Sequence, residues 1–121
     1  MRTILLLLLL AIAIFKLTFI SPALAVEIPA GAKIFNNNCA SCHIGGGNIL
    51  IAEKTLKKAA LSKYLENYET NSIQAIIHQV QYGKNAMPAF KDKLSNQEIL
   101  EVAAYIFQKA EQDWSTLEKE G

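Results

Sequence analysis

An all-α domain is predicted for this chain of 121 residues, and three observations predict it. Apolar side chains recur at helical spacing over residues 73–80 and again over 99–110, each stretch follows a residue suited to cap a helix, and no run alternates apolar with polar over the length of a strand. The domain is not the whole chain. The first 25 residues hold 19 apolar side chains against two charges, Arg2 and Lys16. Residues 26–121 then carry 10 basic and 11 acidic side chains, the balance of one small globular unit, which lacks the strong basic excess of a nucleic-acid binder. So small a unit buries only about two-thirds of its unfolded surface, and a large bound cofactor would help to hold it together.

The N-terminal segment reads as a secretory signal. An unbroken apolar run of twelve, residues 4–15, follows Arg2, and Ala23-Leu24-Ala25 supplies a small-residue cleavage site, with the domain beginning at residue 26. A membrane anchor is the competing reading, but Lys16 interrupts the run well short of the roughly 20 residues that span a bilayer. Pro29 suits a first helical turn, with Ile34, Phe35 and Asn38 following at helical spacing, so a helix is expected over 29–40 with the cysteines at its end. Gly45-Gly46-Gly47-Asn48 reads as a loop, Ile49-Leu50-Ile51-Ala52 as a short buried crossing segment, and 55–61 as a short helix.

The second half is better marked. Ile73, Ile76, Ile77 and Val80 stand at i, i+3, i+4 and i+7, with Asn71 as cap and Gly83 as stop. Residues 83–94 contain Pro88 and no period, which predicts an ordered loop. Ser95 and Glu98 have capping-box spacing, and Ile99, Val102, Ala103, Ile106 and Ala110 then form the longest stripe after the leader. Residues 115–121 are expected to be a mobile tail.

The residues that carry chemistry are Cys39-Ala40-Ser41-Cys42-His43, a C-x-x-C-H run that reads as the attachment site of a c-type haem. Residues three apart on a helical turn share a face, so Cys39 and Cys42 can reach two vinyl groups on one side of a porphyrin while His43 brings its imidazole to the iron. Other readings stand beside it. The cysteines could form a disulfide, which export permits; they could join His43 in a zinc site, which needs one more donor; or the run could be chance. For the second axial position the candidates are Met87, in the loop Lys84-Asn85-Ala86-Met87-Pro88-Ala89-Phe90, and His78, which lies off the apolar stripe of its helix. Met87 is favoured, because His/Met is the usual pair where haem carries electrons. With both axial positions filled no site is left for substrate, so the expected role is electron exchange and not catalysis.

On these residues the chain resembles the class I c-type cytochromes, and among them the cytochrome c6 family of algae and cyanobacteria. The match spans residues 31–114. Besides the C-x-x-C-H run it is carried by Lys54-Thr55-Leu56-Lys57-Lys58, by Gln79-Val80, by Gly83 with the loop through Phe90, and by Trp114. The resemblance implies the small class I cytochrome c fold, about four short helices around one covalently bound haem c. It implies a soluble carrier in the thylakoid lumen that passes single electrons from the cytochrome b6f complex to photosystem I; no enzymatic activity is expected, and a monomer is the expected form. It also implies residue roles: Cys39 and Cys42 on the vinyls, His43 and Met87 on the iron, Gln79 beside the haem where it tunes the potential, and Gly31 and Phe35 crossing the last helix at Ala104 and Tyr105.

The departures from the family pattern concern docking. After Phe90 the family usually has two glycines, an arginine and a leucine, whereas this chain reads Lys91-Asp92-Lys93-Leu94. Lys93 stands in place of the arginine implicated in docking to photosystem I, keeping the charge but losing the planar fork. Residues beside Cys39, Cys42 and Phe90 are expected to form an apolar docking face, and Lys54, Lys57, Lys58, Lys84, Lys91 and Lys93 a basic rim that steers brief encounters.

Overall fold

The computed structural model describes residues 1–17 and 28–115. Its helices are α1 (Arg2–Leu17), α2 (Ile28–Asn38), α3 (Ala40–His43), α4 (Lys58–Tyr64), α5 (Ser72–Tyr82) and α6 (Asn96–Glu111), with a 3₁₀ turn at Ile44–Gly46 between α3 and α4. Among the described residues the only strand-like pairing is a single bridge between Lys84 and Met87. The all-α expectation holds, with α2, α4, α5 and α6 as the four principal helices of the domain and α3 as one extra turn.

Helix α6 starts where its capping box starts. The Ser95 hydroxyl accepts from the Glu98 N–H at 3.1 Å, and the Glu98 carboxylate accepts from the Ser95 N–H at 2.8 Å, so two donors at the helix start are satisfied reciprocally. All five stripe residues, Ile99, Val102, Ala103, Ile106 and Ala110, are buried. Helix α5 is capped by the Asn71 side chain, which accepts from the Gln74 N–H, and it ends at Gly83. Ala75, Ile76 and Val80 are its buried residues, with Ile73 and Ile77 half-buried against the same core.

Helix α2 packs on α6 at Gly31. A Cβ there would overlap the Glu101 carbonyl oxygen and crowd the Tyr105 Cβ, so only glycine lets the two backbones come this close. One turn on, Phe35 is buried with its ring 5.4 Å from Tyr105 and 5.2 Å from Trp114. The crossing expected of Gly31 and Phe35 is therefore present, with Glu101 and Tyr105 as the closest neighbours of Gly31.

Three local expectations are corrected. The helix expected over 29–40 stops at Asn38; at Cys39 φ widens to −119°, and α3 begins a new turn behind it. The helix expected over 55–61 starts later, at Lys58, and runs to Tyr64. The cause is that Leu56 spends both backbone groups elsewhere: its N–H donates to the Gly46 carbonyl at 2.7 Å and its carbonyl accepts from the Trp114 indole at 2.8 Å. Residues 49–51 are not a buried crossing. Ile49 and Leu50 are 62% and 64% exposed, because the Asn48 side chain folds the segment into a surface turn by accepting from the Leu50 and Ile51 N–H groups.

Helix α1 covers the apolar N-terminal segment, and its side chains over residues 1–16 are exposed. No helix among the described residues is long and apolar enough to cross a membrane. The expected cleavage site at Ala23-Leu24-Ala25 and residues 116–121 of the expected tail lie outside the described residues.

The α2–α6 contact generates a test. Gly31→Ala gains helix propensity but forces the backbones apart, and we expect a net loss of about 2 kcal/mol in urea unfolding. An unchanged midpoint would show that the crossing tolerates a side chain.

Candidate functional site

A cavity of about 310 Å³ opens between the α2–α3 turn, the loop through Asn48 and Leu56, helix α5 and the loop that follows α5. Its floor is apolar, with Phe35, Leu61, Val80 and Ile106 reaching it from the core. Cys39, Cys42, His43, Gln79 and Met87 all line it. His78 does not. It sits on the exposed side of α5, its ring 4.8 Å from that of Tyr82.

The first wall is a single tight turn. Cys39 still donates back to Phe35 at 2.8 Å, and its own carbonyl accepts from the Cys42 and His43 N–H groups at 3.1 and 2.9 Å. That geometry brings both sulfurs and the imidazole to one cavity. Cys39 is half-buried, Cys42 is exposed and no disulfide joins them. Burial, and then the neighbouring Cys42, push the Cys39 thiol up to about 11, so it is protonated at neutral pH.

The imidazole is oriented by its far nitrogen. His43 Nδ1 lies 2.9 Å from the Gly47 carbonyl oxygen. A carbonyl only accepts, so Nδ1 carries the proton and Nε2 keeps a free lone pair, the arrangement found for ligating histidines. Gly47 is fixed in turn, donating to the Ile44 carbonyl at 3.0 Å. Asn48 then clamps the cavity loop, its amide donating to the Lys54 carbonyl at 3.0 Å.

The second wall is the loop after α5. Gly83 has φ +62°, and a Cβ there would overlap the Met87 carbonyl and press on Pro88. Lys84 and Met87 exchange both backbone hydrogen bonds at 3.0 Å, and the Phe90 N–H donates to the Val80 carbonyl at 3.0 Å, so the loop is tied to itself and to α5. Phe90 is buried beneath it. The Gln79 amide donates to the Met87 sulfur at 3.6 Å, which places the two side chains in one polar contact within an apolar wall.

Charge around the cavity is less uniform than the row of lysines suggests. Lys58 meets Glu111 at 3.0 Å, and that hydrogen bond holds its ammonium above the ordinary lysine range. Lys57 faces Asp113 at 3.7 Å. Lys54 lies over the Tyr64 ring at 5.5 Å, Lys91 over Tyr82 at 5.6 Å and Lys93 over Phe90 at 5.4 Å. Two of the six expected rim lysines are therefore engaged with carboxylates at the end of α6.

Comparison with known proteins decides the family. Residues 26–106 match the domain family described as cytochrome C oxidase, cbb3-type, subunit III. The chain is 55% identical to cytochrome c6 of a Nostoc species, over 94% of this chain and 99% of that one. It belongs to the cytochrome c6 family. Cytochrome c6 of Thermosynechococcus vestitus is 51% identical over 87% of this chain and 91% of its own. The solved structure of cytochrome c6 from the diatom Phaeodactylum tricornutum, 51% identical, aligns with a TM-score of 0.68 over 73% of this chain and 99% of that one.

Membership in the cytochrome c6 family implies a covalent haem c with its iron and a role in electron transport. The cavity fits that group: it offers thiols at its edge, an imidazole with a free lone pair, a thioether and otherwise apolar walls. The rival zinc reading lacks a donor set, since among the described residues no group of three or more His, Cys, Asp or Glu side chains is placed so that it could hold a metal ion. Sequence pattern alone passes over Gly47 and Asn48, which hold His43 and the cavity loop. The signal for them is an asparagine closing a glycine run, the composition of an Asx turn.

The loop geometry generates a second test. Gly83→Ala combines an unfavourable left-handed alanine with a backbone overlap, and should cost more than about 2 kcal/mol. Urea unfolding measures the loss, and a displaced Met87 methyl resonance would report that the loop has moved.

Proposed function

We propose that the chain is a diffusible one-electron carrier that holds a single haem c through Cys39 and Cys42, with His43 and Met87 as iron ligands, and that it moves electrons from the cytochrome b6f complex to photosystem I. The observation that carries this reading is that an imidazole with its Nδ1–H tied to Gly47 and a methionine sulfur share one apolar cavity with the two thiols. When bound, the haem supplies an iron that alternates between ferric and ferrous states. Every other requirement falls on the chain's own residues.

Cys39 and Cys42 fix the group as thioethers. His43 ligates through Nε2, the nitrogen its hydrogen bond leaves free. Met87 supplies a neutral sulfur, which favours a high potential. Gln79, donating to that sulfur, holds its orientation and shares its electron density. Met87 fills the position that a sensor or enzyme would leave open, and the exposed His78 does not compete for it.

Leu50, which lines the cavity, and the exposed Ile44 and Ile49 of the same segment supply an apolar contact face. Lys54, Lys84, Lys91 and Lys93 serve as the charged rim, and the small interface of a redox encounter suits rapid release. The leader, residues 1–25, exports the chain, and residues 26–121 work in the thylakoid lumen after cleavage.

Three measurements test this together. Mass spectrometry of the exported protein should show one added haem on the chain from residue 26. Met87→Ala should change the haem spectrum and open the reduced protein to carbon monoxide, while His78→Ala leaves the spectrum as it was. Flash-induced oxidation by photosystem I should be fast and should slow with salt, by several-fold across the physiological range. An unaltered spectrum in Met87→Ala would refute the ligand assignment, and absence of flash oxidation would refute the partner.

A further inference from the structure

Trp114 stands at φ +54°, directly after Asp113 at φ +51°. The left-handed region is unfavourable for an ordinary L residue, and a bulky side chain there is an outlier. Among the described residues the other non-glycine ones with positive φ, Asn67 and Asn85, are of the type that adopts it readily. Such strain persists where surrounding contacts over-determine it.

Those contacts run toward His43. The Trp114 N–H donates to the Lys109 carbonyl at 2.7 Å, which turns the chain back across the end of α6. The indole N–H then donates to the Leu56 carbonyl at 2.8 Å. Leu56 donates its own N–H to the Gly46 carbonyl at 2.7 Å, and the indole lies against Gly46 so closely that a Cβ on Gly46 would overlap the ring. The next carbonyl, that of Gly47, is the one that accepts from His43 Nδ1. The glycine run has φ +60° at Gly45 and +78° at Gly46 and no side chains of its own, so its shape must be imposed from outside.

Resting on the reading of His43 as iron ligand, we propose that Trp114 is its positioning residue: through Leu56 and Gly46 it fixes the Gly47 carbonyl that sets the tautomer and orientation of the imidazole. The C-terminal turn thereby acts on the metal site without touching it. Packing alone would make Trp114 a core-filling ring between Phe35 and Tyr105, whereas positioning makes its N–H matter separately from its volume.

The test uses the haem-loaded protein and Trp114→Phe, which keeps a ring in the slot and removes the N–H. NMR should show the His43 Nδ1–H exchanging about tenfold faster than in the parent, the effect of losing a hydrogen bond of ordinary net strength, with a shifted His43 ring resonance. Val102→Ala, which weakens the buried face of α6 away from this chain of bonds, is the control and should leave that exchange unchanged. Gly46→Ala, which lifts the indole from the glycine run without altering Trp114, should reproduce the acceleration. Equal acceleration in Val102→Ala, or none in both Trp114→Phe and Gly46→Ala, would overturn the proposal. A parent protein whose His43 ring shows no haem-shifted resonances would refute the ligand reading instead, while the exchange rates would still report whether Trp114 holds the imidazole.

Discussion

The close crossing of α2 over α6 is the contact on which the rest of the architecture depends. Helix α2 ends one residue before Cys39, so the angle at which it leaves Gly31 determines where the C-x-x-C-H turn lies. Helix α5 packs on the same α6, and its far end launches the loop that carries Met87. One helix therefore registers both walls of the cavity, although the residues that line them are far apart in sequence. A side chain at position 31 would push α2 outward and carry the cysteines and His43 with it. Glycine at that point thus belongs to the site as much as to the packing.

The parts of this arrangement that were legible in the sequence are those encoded by local rules. The capping box at Ser95, the Asn71 cap, the Gly83 stop and the five-residue stripe of α6 each depend on neighbours within a few positions, and each is where periodicity and capping chemistry put it. The C-x-x-C-H turn is local in the same sense. What the sequence concealed is set by distant partners. The helix expected from residue 55 begins at Lys58 because Leu56 bonds to Gly46 and to Trp114, contacts that no window around Leu56 contains. Ile49 and Leu50 read as core and lie at the surface, since apolarity alone does not distinguish residues that face the interior from residues on an exposed turn, of which Leu50 lines the cavity. The Gly47 carbonyl was invisible for a simpler reason: a main-chain acceptor has no letter in the sequence.

The site also shows how electrostatics can be arranged without buried charge. Among the described residues no charged or polar residue is buried, and the ion pairs of Lys57 and Lys58 sit in solvent at the end of α6. The cavity is shaped instead by oriented dipoles: one carbonyl on His43, one amide on the Met87 sulfur. Walls without a buried counter-charge leave an added positive charge inside them poorly compensated, and so favour the reduced form of a redox centre they enclose. Dipoles held by neighbouring backbone do not need to reorganise when charge changes, which is the property a rapid one-electron carrier requires.

The two side chains proposed as ligands, His43 and Met87, are held by different means, and the difference follows from their chemistry. An imidazole has a second nitrogen through which its orientation can be fixed, and here the fixing group is a carbonyl in a glycine run that tertiary contacts must shape. A thioether offers only its sulfur, to which the Gln79 amide donates at 3.6 Å. Met87 is instead located by its backbone, through the paired hydrogen bonds with Lys84, the glycine beneath its carbonyl and the rigid ring of Pro88 after it. The histidine side therefore depends on long-range contacts that reach the C-terminal turn, whereas the methionine side is nearly self-contained within the loop from Gly83 to Phe90. That asymmetry explains why the methionine loop stands out as a compact motif in the sequence, and why the support of the histidine became apparent only once the fold brought Leu56, Gly46 and Trp114 together.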